Sequence, residues 1–321
     1  MPLTDLTLDE LREYRPTVPI PADFDEFWAS TIAEAREIGG NVIRVPAATP
    51  VRELIVEDLT FPGFGGEPIR GWVTRPRDES PLPAVVQYVG YGGGRGLAHE
   101  NLSWAASGYV HVLMDTRGQG SASGTGGDTP DPHGSGPAYP GFMTRGIQSR
   151  DTYYYRRVFT DAVRLIDAVR GFGFVDSAAI AVTGGSQGGA ISLAVAGLAQ
   201  GLTAVMPDVP FLCDFPRSAR LTPDAPFTEL RNYLAVHRTE VDAVFDVLSY
   251  FDGVNFARRA SAPARFSVAL MDPIVLPSTV FAAYNSYAHA DREIDVYEFN
   301  GHEGGQGQQW LRQTEWLGRR T

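Results

Sequence analysis

Residues 179–198 read AIAVTGGSQGGAISLAVAGL: an apolar run, a cluster of small residues around Ser186, and a second apolar stretch rich in Ala and Leu. The first run predicts a buried strand and the second a helix. The Gly-x-Ser-x-Gly pattern between them is typical of a sharp turn that presents a serine hydroxyl. Since such a turn has no room for side chains, Gly184 and Gly188 are expected to let Ser186 protrude. Helix amides would stabilise negative charge there, so Ser186 is a candidate nucleophile.

A phosphate-binding turn is the alternative interpretation of this glycine-rich segment. The chain contains no Gly-x-Gly-x-x-Gly pattern and no Gly-Lys pair, which argues against it. The chain contains no lysine, and all 27 of its Lys and Arg positions are arginine. The lack of lysine excludes a Schiff base, a pyridoxal-phosphate anchor and a P-loop lysine.

Short apolar segments alternate with predicted helices over most of the chain. This alternation indicates buried parallel strands joined by crossover helices. We therefore predict an α/β fold with a mostly parallel central sheet and helices on both faces, as a single domain over residues 1–321. The predicted strands are 84–89, 110–114, 179–183, 204–206, 265–271 and 294–299, the helices include 160–169 and 187–198, and an antiparallel hairpin of 54–64 and 69–74 precedes them.

Three further segments differ from this alternation. Residues 1–50 are predicted to form an N-terminal extension, in which apolar residues at helical spacing indicate a helix over 23–38. Residues 211–256 are predicted to form a helical insertion near the active site. Residues 118–141 are rich in Gly, Ser, Pro and Asp, so we expect a surface loop there. Because so polar a segment gains little from its own core, we hypothesise that it reaches a neighbouring subunit.

Composition limits the partners and the location of the protein. The formal net charge is −11 at pH 7, so neither a nucleic acid nor an anionic membrane is an expected partner. No stretch is long and apolar enough to span a membrane, and the first 15 residues do not resemble a secretion signal. We therefore expect a cytoplasmic protein. The single cysteine, Cys213, lies among Phe and Leu and is expected to be a buried apolar filler.

A serine nucleophile needs a base and an acid, which in this type of fold follow it in the order acid, then histidine. His302 comes just after the last predicted strand, between glycines that allow a loop to present its ring. Asp272 follows the preceding strand, and Pro273 stops that strand from continuing. A loop histidine without function and an aspartate that only caps a helix are the alternatives. No His-Glu-x-x-His pattern is present, so no metal site is expected.

Two backbone N–H groups would be needed to bind an oxyanion. The residue after the nucleophile supplies one, which is Gln187, and the loop after an early strand supplies the other. We predict Tyr91 as the second donor, because it lies in the glycine-rich segment 90–96 that follows the first buried strand. A flexible glycine-rich turn is the alternative for this segment.

The motifs of the chain resemble those of the acetyl xylan esterase and cephalosporin C deacetylase family, carbohydrate esterase family seven. The resemblance rests on Arg117-Gly118-Gln119, on Gly184-Gly185-Ser186-Gln187-Gly188 and on His302-Glu303, and it spans almost the whole chain. Gly92 stands where many members have Asn, and Val275-Leu276 where many have Cys-Pro.

This resemblance implies an α/β-hydrolase fold and a cofactor-free serine esterase. The implied substrates are small acetyl esters, such as acetylated xylo-oligosaccharides and cephalosporin C, and the implied assembly is a homohexamer whose active sites face an internal cavity. It is consistent with Ser186, Asp272 and His302 as catalytic residues and with Tyr91 and Gln187 as oxyanion donors.

Some alternatives stay open at this point. The chain could be a serine peptidase-like hydrolase, although 321 residues leave no room for the gating domain of prolyl oligopeptidases, or a non-catalytic ligand-binding homologue. Arg117 could bind substrate or pair with a carboxylate beneath the site, and we favour the second role. Glu303 could support the catalytic histidine or contribute to a subunit contact.

Overall fold

The computed structural model describes residues 5–78, 80–134 and 136–321, and its centre is one nine-stranded sheet. Six of the strands lie side by side in parallel pairs, and β1, β2 and β3 extend the sheet through antiparallel pairs. The strand order is β1-β2-β3-β5-β4-β6-β7-β8-β9. In chain order these are β1 (Ile43–Pro46), β2 (Leu54–Pro62), β3 (Pro68–Pro76), β4 (Leu82–Tyr88), β5 (Val110–Met114), β6 (Val175–Gly185), β7 (Ala204–Asp208), β8 (Ala264–Ala269) and β9 (Arg292–Tyr297).

Helices cover both faces of this sheet, as predicted. They are α1 (Leu8–Glu13), α2 (Phe24–Ile38), α3 (Ser103–Ala106), α4 (Tyr154–Arg170), α5 (Gln187–Leu198), α6 (Phe215–Leu221), α7 (Phe227–Val236), α8 (Val241–Ser249), α9 (Gly253–Ala257), α10 (Pro277–Ser286) and α11 (Gln306–Leu317). Because alternate strand residues point to opposite faces, Val86 packs in the large core with α4 and α5, whereas Val85 packs in a smaller core with Trp316 of α11.

The N-terminal extension is tied to the body at several points. The indole of Trp28 in α2 donates a hydrogen bond to the carbonyl of Tyr250, and the side chain of Asn285 in α10 donates to the carbonyls of Leu11 and Tyr14. The extension was predicted as helical only, but it also contributes β1 to the sheet. Four residues, three of them exposed, give too weak a pattern for a strand to be predicted.

The remaining segments agree with the sequence except at their ends. The segment predicted as a helical insertion over 211–256 contains α6, α7, α8 and all of α9 but its last residue, Ala257. Strands β8 and β9 each end two residues before their predicted ends. Cys213 is fully buried, as expected. None of the helices in the described ranges is long and apolar enough to cross a membrane.

The loop at 118–141 contains neither helix nor strand in its described residues. Parts of it are nevertheless bound to the body of the same chain. The backbone N–H of Thr129 donates to the carboxylate of Asp115, and the Asp131 carboxylate forms a buried ion pair with Arg157. The idea that this loop gains little from its own chain is therefore wrong for this part, while residues 121–125 are exposed.

Candidate active site

Ser186 occupies the turn between β6, which ends at Gly185, and α5, which begins at Gln187. Its backbone has φ 56° and ψ −116°, a conformation that is strained for a residue with a side chain. The turn passes so close to β4 that a Cβ atom on Gly188 would lie 2.1 Å from the carbonyl oxygen of Tyr88. Glycine is therefore required at this position, as the sequence predicted, and the serine side chain stands at the start of a buried helix.

His302 and Asp272 lie together at the same edge of the sheet. The ring nitrogen Nδ1 of His302 is 2.8 Å from Oδ2 of the fully buried Asp272. The other carboxylate oxygen accepts hydrogen bonds of 2.9 Å from the backbone N–H groups of Ile274 and Val275. Asp272 thus caps a turn and not a helix. It also holds the imidazole by Nδ1, which leaves Nε2 free to act as a base.

Two cavities open beside Ser186 and His302, and both residues line each of them. The first has a volume of about 330 Å³ and is lined by Tyr91, Pro226 and Ile274 among others. The second has a volume of about 300 Å³ and is lined by Asp208, Ser267 and Gln309 among others. No hydrogen bond joins the Ser186 hydroxyl to the His302 ring in the described structure, an arrangement common in active sites without substrate.

Tyr91 lies in the loop after β4 and lines the first cavity, and Gln187 follows Ser186 at the start of α5. Neither backbone N–H has a hydrogen-bond partner among the described residues. The phenol of Tyr91 donates to the Glu229 carboxylate at 2.7 Å and accepts from the N–H of Phe142. Glu229, which the sequence analysis missed, also accepts from the N–H of Met143. Glu229 therefore connects the glycine-rich loop and the residues just after the polar loop to helix α7.

Arg117 has the structural role that the sequence analysis favoured. Its side chain is fully buried and forms a bidentate pair with Asp161, with bonds of 2.6 and 2.8 Å, and a further pair with Glu67. Gly118 adopts φ 70° in the turn that follows. Glu303 is exposed, and its carboxylate accepts hydrogen bonds from Asn300 and from the N–H of Gly301. It therefore orders the loop that carries His302.

Asp208 is a second site residue that the sequence analysis missed. It ends β7, its carbonyl accepts the N–H of Ser186 at 2.9 Å, and its carboxyl group lines the second cavity. Ser267 and Gln313 both donate to the same carboxyl oxygen, Oδ1. Burial raises the pKa of Asp208 from its ordinary value of 3.8 to about 7, although these two hydrogen bonds oppose the shift.

Asp208→Asn is expected to change how stability depends on pH. A raised pKa in the folded state means that the ionised carboxylate destabilises the fold, so native stability is lost as pH rises from about 4 to about 7. Asparagine keeps the acceptor but does not ionise. The difference between the free energies of unfolding of the variant and the native chain should therefore rise, in favour of the variant, by up to about 4 kcal/mol between pH 4 and pH 8. Denaturant unfolding at both pH values measures this change, and Glu315→Gln, at an exposed position, serves as the control. A difference between variant and native that is the same at both pH values would contradict the prediction.

The described residues contain no group of three or more His, Cys, Asp or Glu side chains placed to hold a metal ion.

Three features together define the α/β-hydrolase class: a largely parallel sheet, a serine at a strained strand-to-helix turn, and a histidine held by a buried aspartate.

Comparison with known proteins places the chain within this class. The family model described as acetyl xylan esterase matches residues 1–320, so the chain belongs to the acetyl xylan esterase family, a family of carboxylic ester hydrolases. The structure is similar to an acetyl xylan esterase from a Paenibacillus species, with TM-score 0.92, 34% identity, and coverage of 98% of this chain and 100% of that one. It is also similar to acetyl xylan esterase 1 from a Thermoanaerobacterium species, with TM-score 0.91, 32% identity, and coverage of 99% and 100%.

A curated relative is an acetyl esterase of Xylanibacter ruminicola, which is 26% identical over 302 residues. The match covers 90% of this chain but only 65% of that relative, so the chain spans about two thirds of its length.

Proposed function

We propose that this protein is a serine esterase that removes acetyl groups from small esters, such as acetylated xylo-oligosaccharides and cephalosporin C. One observation carries the proposal: His302, held by buried Asp272, lines the same two cavities as Ser186. Membership of the acetyl xylan esterase family supports the choice of an acetyl ester.

In the proposed mechanism, Nε2 of His302 removes the proton of Ser186 as the hydroxyl attacks the ester carbonyl. Asp272 keeps the imidazole in the tautomer that can accept this proton and stabilises the resulting imidazolium. The N–H groups of Tyr91 and Gln187 bind the oxyanion. His302 then protonates the leaving alcohol, and water activated by the same ring releases acetate from acetyl-Ser186.

The two cavities offer separate places for the two halves of an ester. Tyr91, Pro226 and Ile274 give the 330 Å³ cavity a largely apolar wall, so we assign the acyl group to it. Asp208 and Ser267 contribute polar groups to the 300 Å³ cavity, which suits the hydroxyl groups of a sugar.

Acyl-chain length tests this assignment. The native chain is expected to hydrolyse p-nitrophenyl acetate with a kcat/KM about tenfold or more above that for the octanoate, since the longer chain would fill most of the 330 Å³ cavity and bring its methylenes against Glu229. Ile274→Ala enlarges the acyl cavity and should lower the ratio of kcat/KM for the acetate to kcat/KM for the octanoate. Equal turnover of the two esters by the native chain would remove the assignment.

Acetylated xylo-oligosaccharide, assayed for acetate release beside p-nitrophenyl acetate, tests the function itself. A native chain that is inactive on both substrates would favour a ligand-binding homologue. Cleavage of a peptide p-nitroanilide, with no hydrolysis of either ester, would favour the peptidase alternative.

Assembly and location are also proposals. We propose a homohexamer on the strength of the family resemblance, with residues 121–125 as the part of the polar loop exposed enough to touch another copy. Molar mass in solution, measured by light scattering, decides between a hexamer and a smaller assembly. A cytoplasmic location is likewise proposed, and fractionation of the source cells tests it.

A further inference from the structure

The side chains of Gln119 and Gln187 form a reciprocal pair beneath the two oxyanion donors. Nε2 of Gln119 donates to Oε1 of Gln187 at 2.9 Å, and Nε2 of Gln187 donates back to Oε1 of Gln119 at 3.2 Å. Both side chains are buried, Gln187 completely. Charge-neutral amides that bond to each other in this way can be kept in a core without a large desolvation penalty.

Four more hydrogen bonds complete the pair. Gln119 accepts from the N–H of Gly92 at 2.7 Å and donates to the hydroxyl of Tyr154 at 3.1 Å. Gln187 accepts from the hydroxyl of Tyr155 at 2.9 Å and donates to the carbonyl of Val89 at 3.3 Å. Each carboxamide thereby uses both of its donor positions and both of its acceptor positions.

Such complete satisfaction fixes the orientation of both amides. The N–H of Gly92 can only donate and the carbonyl of Val89 can only accept, so turning either amide by 180° would bring two donors or two acceptors together. A buried network with a single arrangement holds its attachment points rigidly.

The attachment points are the two segments that supply the oxyanion donors. Val89 and Gly92 lie on either side of Tyr91, and Gln187 carries the other donor on its own backbone. The pair is thus a direct side-chain link between these segments beyond the β4–β6 pairing, and Tyr154 and Tyr155 of α4 bond to it.

We propose that the Gln119–Gln187 amide pair sets the separation of the Tyr91 and Gln187 N–H groups, with Gln119 as a positioning residue for the oxyanion hole. This gives a role to the last residue of the Arg117-Gly118-Gln119 motif. The proposal rests on the proposed function, because it assumes that these N–H groups bind the oxyanion of an ester substrate.

Gln187→Met and Gln119→Met test the proposal, because methionine keeps the length of the side chain and every backbone N–H but removes the amide. Each variant is expected to lose about ten- to hundredfold in kcat for p-nitrophenyl acetate, less than the loss of a whole oxyanion donor, with KM changed less than about threefold. The double variant should lose no more than about the worse single one, since the two amides act as a unit.

The rate constant for inactivation by diethyl p-nitrophenyl phosphate distinguishes a positioning role from a purely structural one, because a purely structural role would leave it unchanged. This rate constant should fall in parallel with kcat, because attack of Ser186 on phosphorus develops negative charge in the same hole. Tyr88→Phe is the control, as it removes a buried hydroxyl that bonds to Ala162 outside the network, and it should leave both rates near native.

The outcomes separate this proposal from the proposed function. If the glutamine variants fold with a lower midpoint of thermal unfolding but keep native kcat and inactivation rates, the pair is structural only and the positioning role is overturned. If the native chain hydrolyses neither ester, or if Ser186→Ala keeps its activity, the function itself has failed.

Discussion

Ser186→Ala is expected to lower kcat/KM for p-nitrophenyl acetate by a factor on the order of 10⁵ or more, which leaves only the residual rate enhancement that substrate binding and the oxyanion donors supply. Without the hydroxyl, no acyl-enzyme can form, and His302 has no proton to remove. The backbone of position 186 should keep its place, because its N–H and C=O bond to Asp208, Ala190 and Phe211 through main-chain atoms. The variant should therefore fold like the native chain.

Initial rates on acetyl esters, together with the absence of an acetyl adduct by mass spectrometry, measure this effect. Ser218→Ala is the control, since Ser218 is a buried serine whose hydroxyl donates its hydrogen bond to the carbonyl of Cys213, away from the cavities. Loss of activity in both variants would indicate general sensitivity of the fold, and retention of activity in Ser186→Ala would reject the nucleophile.

Asp272→Asn is expected to lower kcat by a factor of about 10⁴ with little change in stability. Asparagine can still accept the N–H groups of Ile274 and Val275 through its oxygen, so the turn is preserved. Its amide nitrogen then faces Nδ1 of His302, which stabilises the tautomer with the proton on Nε2. That tautomer cannot accept the serine proton.

Asp272→Ala separates the two roles of this carboxylate. It should lose activity to a similar extent and also lower the free energy of unfolding by roughly 1–3 kcal/mol, because two buried N–H groups lose their acceptor. Asp252→Asn is the control, since Asp252 is a buried aspartate that accepts backbone N–H bonds within the helical insertion. If Asp272→Asn kept native kcat, Asp272 would be a structural residue only.

The fold could be predicted from the sequence wherever local patterns are strong. The helix after Ser186 was predicted with the observed ends, because apolar periodicity and the glycine turn both act over a few residues. The strand before it was predicted over 179–183 only, whereas β6 begins four residues earlier and ends two residues later. Asp272 and His302 could be placed because each follows a strand whose carboxyl end meets the same edge of the sheet.

Other parts of the site depend on contacts between residues far apart in the chain. Asp208 and Glu229 have no distinctive neighbours in sequence, and only the packing of β7, β8 and α7 brings them to the cavities. The pairing of Gln119 with Gln187 spans 68 positions and leaves no periodic signal. The edge strand β1 was missed for a related reason, since only pairing with β2 makes it a strand.

The carboxylate of Glu229 has a consequence for engineering the substrate range. It accepts hydrogen bonds from the Tyr91 phenol and from the N–H of Met143, so one wall of the proposed acyl cavity cannot be reshaped without disturbing the loop that carries the proposed oxyanion donor Tyr91. On the opposite wall, Ile274 holds Asp272 through its backbone N–H, so its side chain, which lines the cavity and packs against the core, can be shortened without removing that bond. Directed evolution toward bulkier acyl groups should therefore accumulate its useful substitutions at Ile274 and spare Tyr91 and Glu229.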